Sequence, residues 1–224
     1  METPICDFVK NYIEKDMFRL HMPGHKGQML LGMEAYDITE IEGADSLYEA
    51  DGIIRKSEEN AGCLFGAATF YSTEGSSHCI RAMLCLAAQY AAQNGKSCRI
   101  LAGRNAHKVF LSAAALLGFE IEWLYSEKED SYLSCRPEAE SLKNLFAKEK
   151  ELPAAVYLTS PDYLGTMADL QELAIVCHSY GVLLLVDNAH GAYLKFLPNS
   201  LHPMDLGADM CCDSAHKTLP ALTG

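Results

Sequence analysis

The sequence has few basic residues and no long apolar run. Its 18 Lys and Arg residues are outnumbered by 30 Asp and Glu residues, for a formal net charge of −12. Affinity for nucleic acid depends on neutralising phosphates with cationic side chains, so this balance argues against a nucleic-acid partner. No stretch approaches the roughly eighteen consecutive apolar residues of a membrane-spanning helix. Residues 1–4 lack the basic-then-apolar order of a secretory signal, so we expect a cytoplasmic protein without membrane contacts.

Paired cysteine motifs, internal repeats and low-complexity tracts are also missing. The nine cysteines, an odd number, are scattered without a Cys-x-x-Cys pair. Several of them, such as Cys79, Cys85 and Cys177, fall within apolar helix or strand patterns, which predicts reduced thiols in a core. With 49% hydrophobic residues, 224 positions are enough for one sizeable core or for part of a larger one.

Helical and strand patterns alternate from residue 58 onward. Helices are predicted at 58–65, 76–92, 107–117, 137–149 and 168–180, and strands at 68–72, 98–102, 119–124, 154–159, 182–187 and 209–213. Strands separated by helices indicate βαβ units, and therefore an α/β protein with a mainly parallel sheet flanked by helices. Residues 1–57 are predicted to form an N-terminal segment with a helix at 4–16, and residues 58–224 the main domain.

Two polar stretches of the N-terminal segment allow more than one interpretation. The loop 19–27 is broken by Pro and Gly, and its His21, His25 and Lys26 suit either a solvated loop or a metal or anion site. The stretch 37–51 contains six carboxylates and no Lys or Arg. It is either a solvated acidic loop or the source of a carboxylate for the cationic end of a basic substrate.

Two candidate catalytic residues follow predicted strands. The unbroken apolar run 182–186 ends in Asp187, which is the pattern of a strand buried on both faces with a carboxylate at its end. Lys217 follows the predicted strand 209–213, and open α/β sheets place their chemistry at the carboxyl ends of strands. Partial burial and nearby cations would lower the pKa of this ammonium and let the amine attack an aldehyde. The alternative is a surface lysine beside a polar turn.

A turn that contains Gly75, Ser76 and Ser77 joins a predicted strand to the long helix 76–92. Free backbone N–H groups and two hydroxyls at a helix N-terminus form an anion site. Capping of the helix by Ser76 explains the same residues equally well.

Three histidines also lie near predicted strand ends. His107 opens the helix after strand 98–102, either as a site residue or as an exposed residue at a helix start. His190 and His216 could bind a metal ion together with Asp187. That rival interpretation predicts loss of activity to chelators, but it leaves Lys217 and the serine turn without a role.

The spacing of these motifs resembles that of a known family. Asp187-Asn188-Ala189-His190-Gly191 followed by Ser214-Ala215-His216-Lys217-Thr218-Leu219, with Lys217 thirty positions after Asp187, is similar to the Orn/Lys/Arg decarboxylases of pyridoxal 5'-phosphate (PLP) fold type I. The stretch His21-Met22-Pro23-Gly24-His25-Lys26-Gly27 is similar to that family's N-terminal signature. The resemblance covers nearly the whole chain, with one departure at Glu74, where a neutral Asn is expected.

The resemblance implies a role for each motif. Lys217 would form the Schiff base with PLP, Asp187 would hold the pyridine nitrogen protonated, and His107 would stack on the ring and handle protons. Ala189 would pack on the opposite ring face, and the serine turn would bind the phosphate. The other cofactor-binding residues expected from the motifs are Gly75, Ser76, Ser77, His190, Ser214 and His216, with no metal ligand.

The implied reaction is decarboxylation of a basic amino acid (arginine, lysine or ornithine) by a homodimer or higher homo-oligomer. The Asp-Lys pair does not fix the reaction, because aminotransferases and lyases share fold type I. The sequence stops seven residues after Lys217, whereas the family continues into a small C-terminal domain. We therefore also consider a catalytically silent truncated chain, and we expect the 224 residues alone to be inactive.

Overall fold

The computed structural model describes residues 2–125 and 132–222, which form two compact units, one ending at Tyr71 and the other beginning at Ser72. The elements of the first unit are α1 (Pro4–Glu14), a 3₁₀ turn (Leu47–Glu49) and α2 (Ile53–Phe65). Those of the second unit are α3 (Gly75–Gln93), β1 (Arg99–Gly103), α4 (Lys108–Leu117), β2 (Glu120–Leu124), α5 (Ala139–Lys148), β3 (Ala155–Thr159), α6 (Leu170–Ser179), β4 (Leu183–Asn188), a 3₁₀ turn (Ala192–Phe196), β5 (Met210–Asp213) and α7 (Ala215–Thr218).

In the first unit, one acidic residue organises the start of α2. The carboxylate of Asp45 accepts hydrogen bonds from the backbone N–H groups of Gly52 and Ile54, at 2.9 and 2.8 Å. Desolvation opposes ionisation, but these and neighbouring backbone donors outweigh it and lower the pKa of Asp45. The helix therefore begins at Ile53, five residues before the predicted start at 58. A boundary at 57/58 would cut α2, and the compact units instead divide at 71/72.

The strand predicted at 68–72 is wrong. These residues have no regular secondary structure, and Phe70 and Tyr71 are exposed. The backbone N–H of Tyr71 donates to the carboxylate of Glu58 at 2.9 Å rather than to a neighbouring strand. A short run of apolar and aromatic residues resembles a strand locally, but a strand exists only where another one pairs with it.

The second unit is built on a five-stranded sheet in the order β2-β1-β3-β4-β5, and every pair is parallel. β3 is buried at all five positions and β4 at five of six, as expected for central strands covered on both faces. Alternate residues point to opposite faces. On one face Ile100, Ala102, Tyr157 and Leu185 pack in a core with α3 and α4, and the other face packs in a core with α5 and α6.

The predicted α/β class and mainly parallel sheet are thus confirmed, and all strands from 98 onward lie within one or two residues of their predicted bounds. None of the helices within residues 2–125 and 132–222 has the length and apolar character that crossing a bilayer requires.

Candidate active site

A pocket opens in the second unit at the carboxyl edge of the sheet. It encloses about 330 Å³ and opens to solvent. Because all strands are parallel, the residues that end or follow β1, β3, β4 and β5 meet at this edge. The lining residues are Ser76, Ile80, His107, Thr159, Tyr163, Asp187, Ala189, His190 and Lys217.

Asp187 lies near the end of β4 and is only 3% exposed. Its carboxylate accepts one hydrogen bond from the hydroxyl of Tyr157 and one from the backbone N–H of Ala189, both at 3.2 Å. Burial raises the pKa of Asp187, although these two donors and the electrostatic influence of Lys217 and His107 act in the opposite direction. Within the described residues no Lys, Arg or His forms a salt bridge with this carboxylate. Asp187 is therefore a buried acid without a paired cation.

Lys217 is positioned by the short helix α7, which follows β5 directly. The end of β5 is anchored because Asp213 accepts hydrogen bonds from the Asn188 amide and interacts with His202, whose Nε2 lies 3.0 Å from its carboxylate. The amine of Lys217 lies 3.4 Å from Nε2 of His190. Partial burial of Lys217 was expected, but its side chain is exposed. The short helix α7 follows the edge strand β5, and this position leaves the Lys217 side chain exposed at the pocket.

His107 is the N-cap of α4, and its Nδ1 accepts a hydrogen bond from the backbone N–H of Val109 at 3.4 Å. This bond assigns the ring proton to Nε2, since a neutral imidazole has one donor and one acceptor. His107 thus combines both predicted possibilities, because it begins a helix and also lines the pocket.

The predicted phosphate turn forms the start of α3. Gly75 has a φ of +70°, which places the chain in the left-handed region and directs it into the helix. Of the three turn residues, Ser76 lines the pocket, whereas Gly75 and Ser77 do not. The Ser76 carbonyl accepts a hydrogen bond from the thiol of Cys212 at 3.3 Å, which joins this turn to β5.

Three lining residues, Ile80, Thr159 and Tyr163, were not among the predicted site residues. Thr159 ends β3 directly beside Asp187, and its buried hydroxyl has no hydrogen-bond partner among residues 2–125 and 132–222. Its position at the end of a predicted buried strand was the available signal. Tyr163 lies in the turn after β3, and its ring contacts the His190 ring at 5.1 Å between centroids. The carboxylate of Asp162 supports this turn by accepting the backbone N–H groups of Leu164 and Thr166.

The turn after β4 needs its glycine. A Cβ on Gly191 would lie 2.6 Å from Cδ of Pro161, closer than real Cβ contacts come.

Ser214 is buried and His216 exposed, and neither lines the pocket. The rival metal site is also not assembled. Within the described residues, the metal-ligating atoms that lie within 4.8 Å of one another belong to His202, Cys211 and Asp213, not to Asp187, His190 and His216.

Solved structures define the class of the fold. The DndA crystal structure from Streptomyces lividans is similar with a TM-score of 0.60 and 20% identity, over 100% of this chain and 54% of that one. Oryza sativa TDC with PLP and tryptamine has a TM-score of 0.51 and 18% identity, over 63% of this chain and 33% of that one. The second unit has the fold of the large domain of PLP fold type I enzymes.

Sequence comparison identifies the family. The model described as "Orn/Lys/Arg decarboxylase, major domain" matches residues 3–224, and the chain belongs to this family. An arginine decarboxylase from Bacillus cereus is 30% identical over 240 residues, which cover 99% of this chain and 50% of the relative. The chain thus spans about half the length of the curated relatives that it matches.

Proposed function

We propose that this chain forms the PLP-binding part of a decarboxylase that acts on a basic amino acid. The observation that carries the proposal is the meeting of Asp187, Lys217 and His107 at one pocket, although they follow three different strands. Family membership supports the reaction class, and the Bacillus cereus relative named arginine decarboxylase makes arginine the first substrate to test.

The pocket has the chemical groups that PLP needs. Asp187 is a buried carboxylate that forms no salt bridge within the described part of the chain, and a protonated pyridine nitrogen would supply a positive charge. The hydroxyl of Thr159 and Nδ1 of His190 are buried polar atoms without a partner among the described residues, and ring substituents could satisfy them. Ser76 stands at the N-terminus of a 19-residue helix, where a phosphate is favoured.

Each residue would have a defined task. Asp187 would hold a proton on the pyridine nitrogen, because a buried carboxylate beside the ring favours a cationic nitrogen. Lys217 would supply the amine that binds the PLP aldehyde, with His190 beside it to accept a proton. His107 and Ala189 would contact the two faces of the ring, and His107 would carry a proton on Nε2. Ser76 would bind the phosphate, whereas Gly75 sets the backbone that presents it.

When bound, PLP supplies an electron-accepting ring, which makes loss of carbon dioxide from an α-amino acid possible. The chain contributes by orienting the ring and keeping its nitrogen protonated. In fold type I enzymes the side chain that binds the substrate α-carboxylate commonly belongs to the part of the chain that follows the large domain. We therefore expect PLP binding by these 224 residues, and turnover only in a protein of the relatives' full length.

The test compares the 224-residue chain with a full-length protein that contains it. Both are titrated with PLP by absorbance and assayed for carbon dioxide release from arginine, lysine, ornithine and neutral amino acids. We expect binding by both and release from basic substrates by the longer protein alone. Preference for neutral substrates, or amino transfer without carbon dioxide, would assign another fold type I activity. Absence of PLP binding by both proteins would refute the proposal.

We further propose that the protein functions as a homodimer or higher homo-oligomer. Large apolar side chains of the first unit are strongly exposed, among them Phe18 at 90% and Leu31 at 92%. Exposed apolar surface of this kind indicates a protein contact. Sedimentation should give a mass of at least two chains, and replacing Leu31 by Glu should shift it toward one chain. A strict monomer at micromolar concentration with PLP bound would contradict the proposal.

A further inference from the structure

Two cysteines, Cys79 and Cys212, lie close to Ser76, which lines the pocket. Cys79 lies in the second turn of α3, and Cys212 lies in β5, paired in register with Asp187. Cys212 belongs to the core between α3 and the sheet, and Cys79 packs against that core. The Cys212 thiol also donates to the Ser76 carbonyl at 3.3 Å, one helical turn before Cys79. Residues three apart on a helix share a face, so the Cys79 side chain lies on the side of α3 that Cys212 contacts, although the two cysteines are 133 residues apart in the chain.

The two cysteines have different environments. The Cys212 thiol and the Ser72 hydroxyl stabilise the thiolate of Cys79 and lower its pKa to about 7, against the effect of desolvation. The neighbouring Cys79 and burial raise the pKa of Cys212, which is only 3% exposed. Cys79 is only partly buried, so a small oxidant can reach it. A reactive thiol next to a second, protected thiol is the arrangement of redox-sensing cysteine pairs.

We propose that Cys79 and Cys212 form a redox-modification site that closes to a disulfide under peroxide. The Cys79 thiolate attacks one peroxide oxygen, the O–O bond breaks, and the released hydroxide takes up a proton, leaving a sulfenic acid on Cys79. The Cys212 sulfur then loses its proton and attacks Sγ of Cys79. The S–O bond breaks and a second water leaves. Both sulfurs are oxidised, and one peroxide is reduced to two waters.

Oxidation of Cys79 to the sulfenic acid favours the following attack by Cys212. While Cys79 is a thiolate, its negative charge opposes ionisation of Cys212, and formation of the neutral sulfenic acid removes that charge. The disulfide would fasten the first turns of α3, which carry Ser76, to β5, which leads to Lys217. It would also remove the hydrogen bond from Cys212 to Ser76. Oxidation thereby acts on two walls of the pocket at once.

Peptide mapping tests the proposal directly. The purified chain is treated with hydrogen peroxide, alkylated under denaturing conditions and digested after glutamates, so that cleavage at Glu74 separates Cys79 from Cys63. We expect a peptide pair joined through Cys79 and Cys212, lighter than its two thiol forms by two hydrogen atoms and separated by dithiothreitol. The joined pair should be lost in Cys79→Ser and in Cys212→Ser.

Two matched controls lie next to these residues. Cys85→Ser changes another partly buried cysteine of α3, and Cys211→Ser changes the neighbour of Cys212. Both variants should retain the joined pair, and circular dichroism melts show whether each variant is folded. The proposal is overturned if peroxide leaves Cys212 fully alkylatable while Cys79 becomes a sulfinic acid, or if the cross-link persists without Cys79.

Discussion

Replacing Asp187 by Asn should stabilise the fold near neutral pH while it weakens PLP binding. Burial raises the pKa of Asp187 in the folded chain. Below the unfolded pKa of about 3.9, both states are protonated and the burial of a charge costs nothing. As pH rises above this value, the unfolded state ionises first, so the wild type loses stability relative to the neutral variant. The difference is complete above the folded pKa.

The magnitude follows from the contacts of the carboxylate. Removing an ion from water costs several kcal/mol, and two hydrogen bonds to a charged group return roughly 1.5–3 kcal/mol each. Asn keeps both contacts, because its oxygen can accept from Ala189 and its amide can donate to the Tyr157 hydroxyl. We therefore expect a gain on the order of 1–2 kcal/mol, or roughly 2–8 °C in Tm for a chain of this size.

Urea unfolding of the PLP-free chain at about pH 4 and about pH 8 measures this difference. Added PLP should then stabilise the wild type more than the variant, because only the carboxylate pairs with a protonated ring nitrogen. Asp205→Asn is a control of opposite sign, since hydrogen bonds from Lys195 and Ser200 lower the pKa of Asp205. It should lose less than about 1 kcal/mol at pH 8 and nothing at low pH. A less stable Asp187→Asn at pH 8 would refute this reasoning.

Four further substitutions test the site. Tyr157→Phe leaves one oxygen of Asp187 without its donor and should cost about 1–3 kcal/mol by urea unfolding. Thr159→Val should leave stability nearly unchanged, because the hydroxyl has no partner among the described residues, but weaken PLP binding roughly 2- to 13-fold in a titration. Borohydride reduction with PLP should leave a pyridoxyl group on Lys217, absent in Lys217→Arg, whose stability should change by less than about 0.5 kcal/mol; an adduct on another lysine contradicts the assignment. Gly191→Ala should cost roughly 1–3 kcal/mol, and an unchanged Tm would show that the turn can adjust.

The strands of the sheet could be predicted because their signals are local. The apolar run 182–186 ends in a carboxylate, and the structure places β4 at Leu183–Asn188 with Asp187 buried. Parallel strands bring their carboxyl ends to one edge, so the pocket position of Asp187, His107 and Lys217 also followed from the pattern. The roles of these residues remain proposals that the substitutions above address.

Other features depend on contacts between residues far apart in the chain. α2 begins at Ile53 because Asp45 accepts hydrogen bonds from its first backbone N–H groups, and residues 68–72 are not a strand because no strand of the described residues pairs with them. The sequence alone determined the α/β class, the mainly parallel sheet with candidate site residues at its strand ends, and the candidate lysine and aspartate. Only the tertiary structure decided that Tyr157 donates to Asp187 and that Cys79 meets Cys212, because side chains on separate elements come together through packing that no local pattern encodes.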